Sequence, residues 1–242
     1  MGDIFHFKHF SVKQNQCAMK VGTDGVLLGA WVNLFPNTSR ILDVGSGTGI
    51  IALMLAQRCP KAKIDGIEQD HNAYEQGVNN FQNSHWKYNL FNFHGTFQNF
   101  SQESEGNYDL IICNPPFFNQ GRLKISDQRS MARNSEALPL ETLIKGASNL
   151  LVPFGRLAMI IPHELKRRVL FTLKQYDMLV LRMTSVRGNK SRPPKRLLIE
   201  VRSKITKTDE YSPEISELII ENTRHNYTKE YRNLVHDFYL KI

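Results

Sequence analysis

The segment Ile41-Leu-Asp43-Val-Gly45-Ser-Gly47-Thr-Gly49, followed by Ile50-Ile-Ala-Leu-Met-Leu-Ala-Gln57, leaves a chain few ways to fold. A short apolar strand ends in three alternating glycines, and the run after them has helical length. Strand, glycine turn and helix form the first half of a doubly wound α/β unit, with helices on both faces of a mostly parallel sheet. The pattern predicts further strands at 63–68, 90–93, 108–113, 155–161, 178–185 and 196–202, making seven with the first. Helices are expected at 70–80, 138–151 and from 162 to about 176, and 98–107 reads as a polar loop. The last two strands are joined by a loop too short for a crossover helix, so they pair as an antiparallel C-terminal hairpin. With 242 residues there is room for one sizeable core: a segment 1–35 covering the active face, a core 36–204 and an extension 205–242 packed on it. The extension holds a possible strand near 218–220 and a helix over 227–239.

The strand at 108–113 runs without alternation through Leu110, Ile111 and Ile112 into Asn114-Pro115-Pro116-Phe117. Such a run suits a strand covered on both faces, and two prolines forbid its continuation. Asn114 is then fixed at the carboxyl edge of the sheet, where open α/β folds bind ligands. Pro-Pro-Phe alone reads as a hydrophobic stopper, whereas the full string resembles motif IV of methyltransferases acting on planar amino groups. An amide oxygen at Asn114 and the carbonyl of Pro115 can accept the two hydrogens of such a group, and the ring of Phe117 can stack on its plane. The remaining polar, arginine-rich stretch 118–136, with Arg129 and Arg133, is expected to close over the target.

The glycine turn departs from a dinucleotide fingerprint, because Ile50 stands where Gly-x-Gly-x-x-Gly requires its last glycine. Asp43 precedes the turn instead, giving Asp-x-Gly-x-Gly-x-Gly. S-adenosylmethionine suits that pattern: Gly45, Gly47 and Gly49 let the backbone approach its amino-acid tail, and Asp43 can bind its ammonium directly or through water. Glu68, ending the next strand, can accept from both ribose hydroxyls. No acidic residue follows the third strand, so Thr96 or a backbone group is left for the adenine. His94, a lone imidazole at a strand end, reads as structural. Thr23 or Asp24 can cap a helix whose face is Val26, Leu27, Ala30 and Trp31.

The chain closely resembles the bacterial tRNA1(Val) adenine-N6 methyltransferases. The resemblance rests on Cys17-Ala-Met-Lys20-Val-Gly-Thr23-Asp24-Gly, on Asp43 to Gly49, on Ala52 to Arg58, on Asn114-Pro-Pro, and on Asn226-Tyr-Thr-Lys-Glu-Tyr followed by Phe238-Tyr-Leu. It implies a class I S-adenosylmethionine-dependent fold, methyl transfer to the N6 amino group of the adenine 3′ of the anticodon, and a tRNA anticodon loop as partner. It also adds Lys20, Thr23, Asp24 and Asn114 to the cofactor contacts. Phe117 stands where Tyr is common in adenine enzymes; ribosomal RNA guanine-N2 methylation is therefore the alternative, and an RNA-binding module with a vestigial pocket a more distant one.

Charge agrees with a polyanionic partner: 31 basic and 23 acidic side chains leave a net +8. Arg187, Lys190, Arg192, Lys195 and Arg196 crowd the loop between the last two strands with no acid among them. Either they discourage edge pairing or they bind RNA phosphates. The three cysteines show no metal or disulfide spacing, and no uncharged stretch approaches the ~20 residues that cross a bilayer. A cytoplasmic protein with no metal and no obligate protein partner is the expectation.

Overall fold

Successive side chains of the central strands are apolar and point to opposite faces, so this sheet is buried on both. Ile41, Leu110, Ile112, Ala158 and Ile160 point into one apolar cluster, while Leu42, Ile111, Leu157, Met159 and Ile161 point into another. Each fully buried aliphatic side chain contributes about 1.5–3 kcal/mol of transfer free energy. The computed structural model describes residues 3–115, 138–206 and 208–242. Phe117, Arg129, Arg133 and the arginine-rich stretch around them lie outside the described residues.

In chain order the elements are β1 (Ile4–His6), β2 (Ser11–Lys13), α1 (Thr23–Trp31), β3 (Arg40–Val44), α2 (Ile50–Arg58), β4 (Lys63–Glu68), α3 (His71–Gln82) and β5 (Leu90–His94). Then follow α4 (Phe97–Glu103), β6 (Tyr108–Cys113), α5 (Leu140–Leu150), β7 (Leu151–Pro162), a 3-10 turn (His163–Leu165), α6 (Lys166–Gln175), β8 (Met178–Asn189) and β9 (Arg196–Ser203). The chain ends with β10 (Glu214–Thr223), β11 (Asn226–Tyr227) and α7 (Lys229–Val235). The main sheet runs β11-β10-β8-β9-β7-β6-β3-β4-β5. β3 to β7 are mutually parallel, and β9 is inserted antiparallel between β7 and β8.

The seven expected core strands are all present, the strand expected near 218–220 is realised within β10, and β11 is one more. β10 adds to β8 in parallel, with β11 beyond it. The full length of β10 hides in the sequence because only Leu218 of it is buried. Residues 98–107 are also not all loop. α4 forms there because Phe97 is buried and packs where Gly146 of α5 leaves no room for a side chain. The C-terminal helix is shorter than expected, and Phe7 bridges to Tyr239 after it.

Candidate active site

The turn after β3 is shaped by three left-handed glycines, Gly45, Gly47 and Gly49, with φ of 72°, 54° and 77°. A side chain at Gly49 would collide with the Phe81 ring, but the space above Gly45 is open. The first two glycines therefore leave backbone exposed to a ligand, while Gly49 serves packing. The turn is held from β4: Gly45 and Ser46 donate to the Ile67 carbonyl, and Gly47 N–H donates to Glu68 Oε2 at 2.9 Å. Glu68 Oε1 accepts from Asp70 N–H at 2.9 Å.

Asp43 lies beneath the turn and is fully buried. Its Oδ2 accepts from Ala52 N–H at 3.2 Å, while Oδ1 has no hydrogen-bond partner. Burial pushes the carboxyl up to about 7, with the nearby Glu68 charge adding to the rise and the Ala52 bond opposing it. A buried oxygen without a donor is costly, so this arrangement suits a site completed by a cationic or hydrogen-bonding ligand group. With the open backbone at Gly45 and Gly47, it fits the amino-acid end of S-adenosylmethionine.

Register brings Asn114 to the same place. Val44 pairs with Cys113, so Asn114 follows directly beside Gly45, two strands or about 10 Å across from Glu68. Asn114 is half-buried and Pro115 buried. Behind them the Cys113 thiol is fully buried and pushed well above its usual range by desolvation, with Asp43 and Glu68 contributing.

The N-terminal segment reaches this edge too. Asn80 of α3 accepts from Lys13 N–H and donates to the carbonyls of Lys13 and Thr48, and Gln76 accepts from Gln16 N–H. Cys17 is pushed up to about 12 by burial and by the charges of Glu68 and Asp70. Gly25 packs on Ile50 and Ile51, which sets the start of α1 beside that of α2.

Several expected contacts are employed differently. Neither Thr23 nor Asp24 caps α1; Gly22 occupies the cap position without a side-chain bond, and both residues lie in the first turn. Asp24 Oδ2 instead accepts from Arg196 Nε at 2.7 Å. Lys20 and Thr23 are exposed. Thr96 caps α4 by accepting from Asn99 N–H, so its hydroxyl already has a backbone donor. His94 packs against His71 and Tyr74, with Nε2 3.2 Å from the Gln69 carbonyl. Among the basic residues, Arg187 pairs with Glu217 and Arg196 with Asp24, while Lys190, Arg192 and Lys195 are exposed. Lys195 accepts from His163 N–H through its carbonyl and donates to the Val186 carbonyl, which ties the hairpin to the carboxyl end of β7. Sequence reasoning missed Asn92, whose Oδ1 accepts from Ser46 Oγ and whose Nδ2 donates to the Tyr74 carbonyl. Its one signal was a lone amide between Phe91 and Phe93.

Comparison with known proteins gives the family and the fold. The family model described as Methyltransferase small domain matches residues 26–179. A protein of Christiangramia forsetii named tRNA1(Val) (adenine(37)-N6)-methyltransferase is 47% identical over 240 residues, covering 98% of each chain. The chain belongs to that family. A relative of the same name from Flavobacterium psychrophilum is 44% identical, over 99% of this chain and 100% of its own. Among solved structures, a predicted O-methyltransferase from Agrobacterium tumefaciens shares the fold with TM-score 0.69 at 17% identity, covering 89% of this chain and 96% of that one. Among the described residues of this family member, no helix is long and apolar enough to cross a membrane, and no cluster of His, Cys, Asp or Glu could hold a metal ion.

Proposed function

We propose that this chain transfers a methyl group from S-adenosylmethionine to the N6 amino group of the adenine 3′ of the anticodon in tRNA1(Val). The reading is carried by one juxtaposition: Asn114 follows the strand pair that sets Cys113 beside Val44, at the mouth of the glycine turn. The named relatives supply the substrate. A cytoplasmic setting goes with it.

The cofactor, when bound, supplies an electrophilic methyl on a sulfonium. Everything else is asked of the protein's own groups. An exocyclic amine is planar and a poor nucleophile because its lone pair is delocalised. Asn114 Oδ1 and the Pro115 carbonyl accept its two hydrogens, which returns electron density to the nitrogen and fixes its direction. No ionised base is needed before attack, since the nitrogen turns acidic only as it gains the methyl. Catalysis is thus alignment plus fixed dipoles. Phe117 supplies a stacking face for a base taken out of its loop. Asp43 and the open backbone at Gly45 and Gly47 hold the amino-acid end of the cofactor, Glu68 its ribose, and Lys20, Thr23 and Asp24 line the same edge. Lys190, Arg192 and Lys195, with Arg129 and Arg133, take phosphates of the anticodon arm, whereas Arg187 and Arg196 orient the hairpin through their acidic partners.

The deciding experiment incubates the purified protein with unmodified tRNA1(Val) and the methyl donor, then analyses nucleosides by mass spectrometry. N6-methyladenosine supports the proposal. N2-methylguanosine, or no methylated nucleoside, overturns it.

A further inference from the structure

A cleft of about 490 Å3 opens between the β1–β2 hairpin and the end of α3, away from the residues assigned above. His6, Lys8, His9, Lys13, Asn83 and His85 line it, with Ser11, Ser84 and Asn80 between them, and no carboxylate belongs to its wall. Its cations and imidazoles are exposed, and among the described residues neither Lys8 nor Lys13 enters an ion pair. Lys8 Nζ donates to the His236 carbonyl at 2.6 Å, and the amides of Asn80 and Asn83 and the hydroxyl of Ser84 already donate to backbone carbonyls. Lys13 Nζ, the remaining N–H groups of Lys8 and the imidazoles of His9 and His85 offer the donors of a phosphate contact. The aromatic residues of the cleft, Phe7 and Phe10, are buried and stack on each other, so they offer a base no free face.

We propose that this cleft is a second contact for RNA, directed at backbone phosphates and not at bases. The inference rests on the tRNA reading above and extends it. Asn80 is the mechanical link. It forms one wall of the cleft, holds the Lys13 backbone through both its N–H and its carbonyl, and donates to the Thr48 carbonyl of the glycine turn at 2.8 Å. The cleft is therefore fixed relative to the cofactor turn. Asn80 stands ten residues after Asp70, or about 15 Å along α3 from the Glu68 end of the site. A phosphate bound there belongs to a nucleotide several positions from the target base, so the cleft sets the register of the RNA on the enzyme without reading its sequence.

The test measures binding of unmodified tRNA to the full chain as a function of salt. Lys13 is the residue to change, because its structural bonds to Asn80 run through its backbone and survive substitution. Lys13→Ala combined with His85→Ala should weaken tRNA binding several-fold and lower the slope of log affinity against log salt by about 1. Lys13→Arg should keep the parent slope. Affinity for S-adenosylhomocysteine and the melting temperature should match the parent in both variants. If the parent binds and methylates tRNA and the double variant keeps its affinity and slope, the cleft proposal falls alone. If the parent binds no tRNA, the substrate reading falls and the cleft with it.

Discussion

Glu68 accepts a hydrogen bond from the backbone N–H of Gly47 at 2.9 Å, so the carboxylate that ends β4 holds the turn that ends β3. One side chain thereby shapes the glycine turn, and in the proposed function its remaining lone pairs go to the cofactor ribose. Glu68→Gln keeps one acceptor and turns an N–H₂ toward a backbone donor. Charged hydrogen bonds are worth about 1.5–3 kcal/mol, so cofactor affinity should fall on the order of ten- to a hundredfold by calorimetry. An unchanged affinity would leave Glu68 with only its structural role.

Asp43 gives a prediction in pH. Its folded-state pKa, about 7, lies above the ordinary carboxyl value of 3.8. Between those values the folded, ligand-free chain binds more protons than the unfolded one, so this group's contribution to stability declines as pH rises from about 4 to 7. A cationic ligand group favours the ionised carboxylate, so cofactor binding should release a proton and weaken as pH falls below about 7. Asp43→Asn keeps an acceptor for Ala52 N–H and removes the buried charge. The variant should melt higher than the parent at pH 8 without cofactor, and bind cofactor poorly with little dependence on pH. A lower melting temperature at pH 8 would contradict this account.

Asn114→Ala removes the amide oxygen from the carboxyl edge of β6 without touching the turn. Single-turnover methylation should drop by about a hundred- to a thousandfold, comparable to the loss of one transition-state hydrogen-bonding group in a preorganised site. Cofactor affinity should stay within a few-fold of the parent. Substantial turnover in this variant would move the amino-group contact elsewhere.

The framework of this site was legible because its signals are local. Alternating glycines after a short strand, and an unbroken apolar run before two prolines, each state their structure within ten residues. What the sequence concealed was assembled over distance. Arg187 and Glu217 are 30 residues apart and Asp24 and Arg196 are 172 apart, so a loop that contains no acid still has two of its five cations neutralised by other elements. The capping role of Thr96 was concealed for a related reason. α4 has only Phe97 buried, too little apolar periodicity to announce a helix, so the residue that caps it looked free for a ligand. Asn92 was overlooked because its role depends on Gly66 and Gly77 leaving space for one amide between β4, α3 and the turn.

The divided hairpin leads to the final prediction, since its cations should separate by partner and not by position in the loop. Lys190, Arg192 and Lys195 are exposed at the tip, whereas Arg187 and Arg196 hold carboxylates. Neutralising the three tip residues together should lower the salt slope of tRNA binding by roughly 2 to 3, at about 0.7–0.9 for each phosphate no longer neutralised. Arg196→Gln should change the slope little. Its half-buried ion pair with Asp24 is still open to solvent and is worth no more than about 1 kcal/mol to stability, so the effect should appear as a small fall in melting temperature. Equal slopes for the two variants would mean that the tip carries no phosphates and serves to keep the edge of the sheet from pairing.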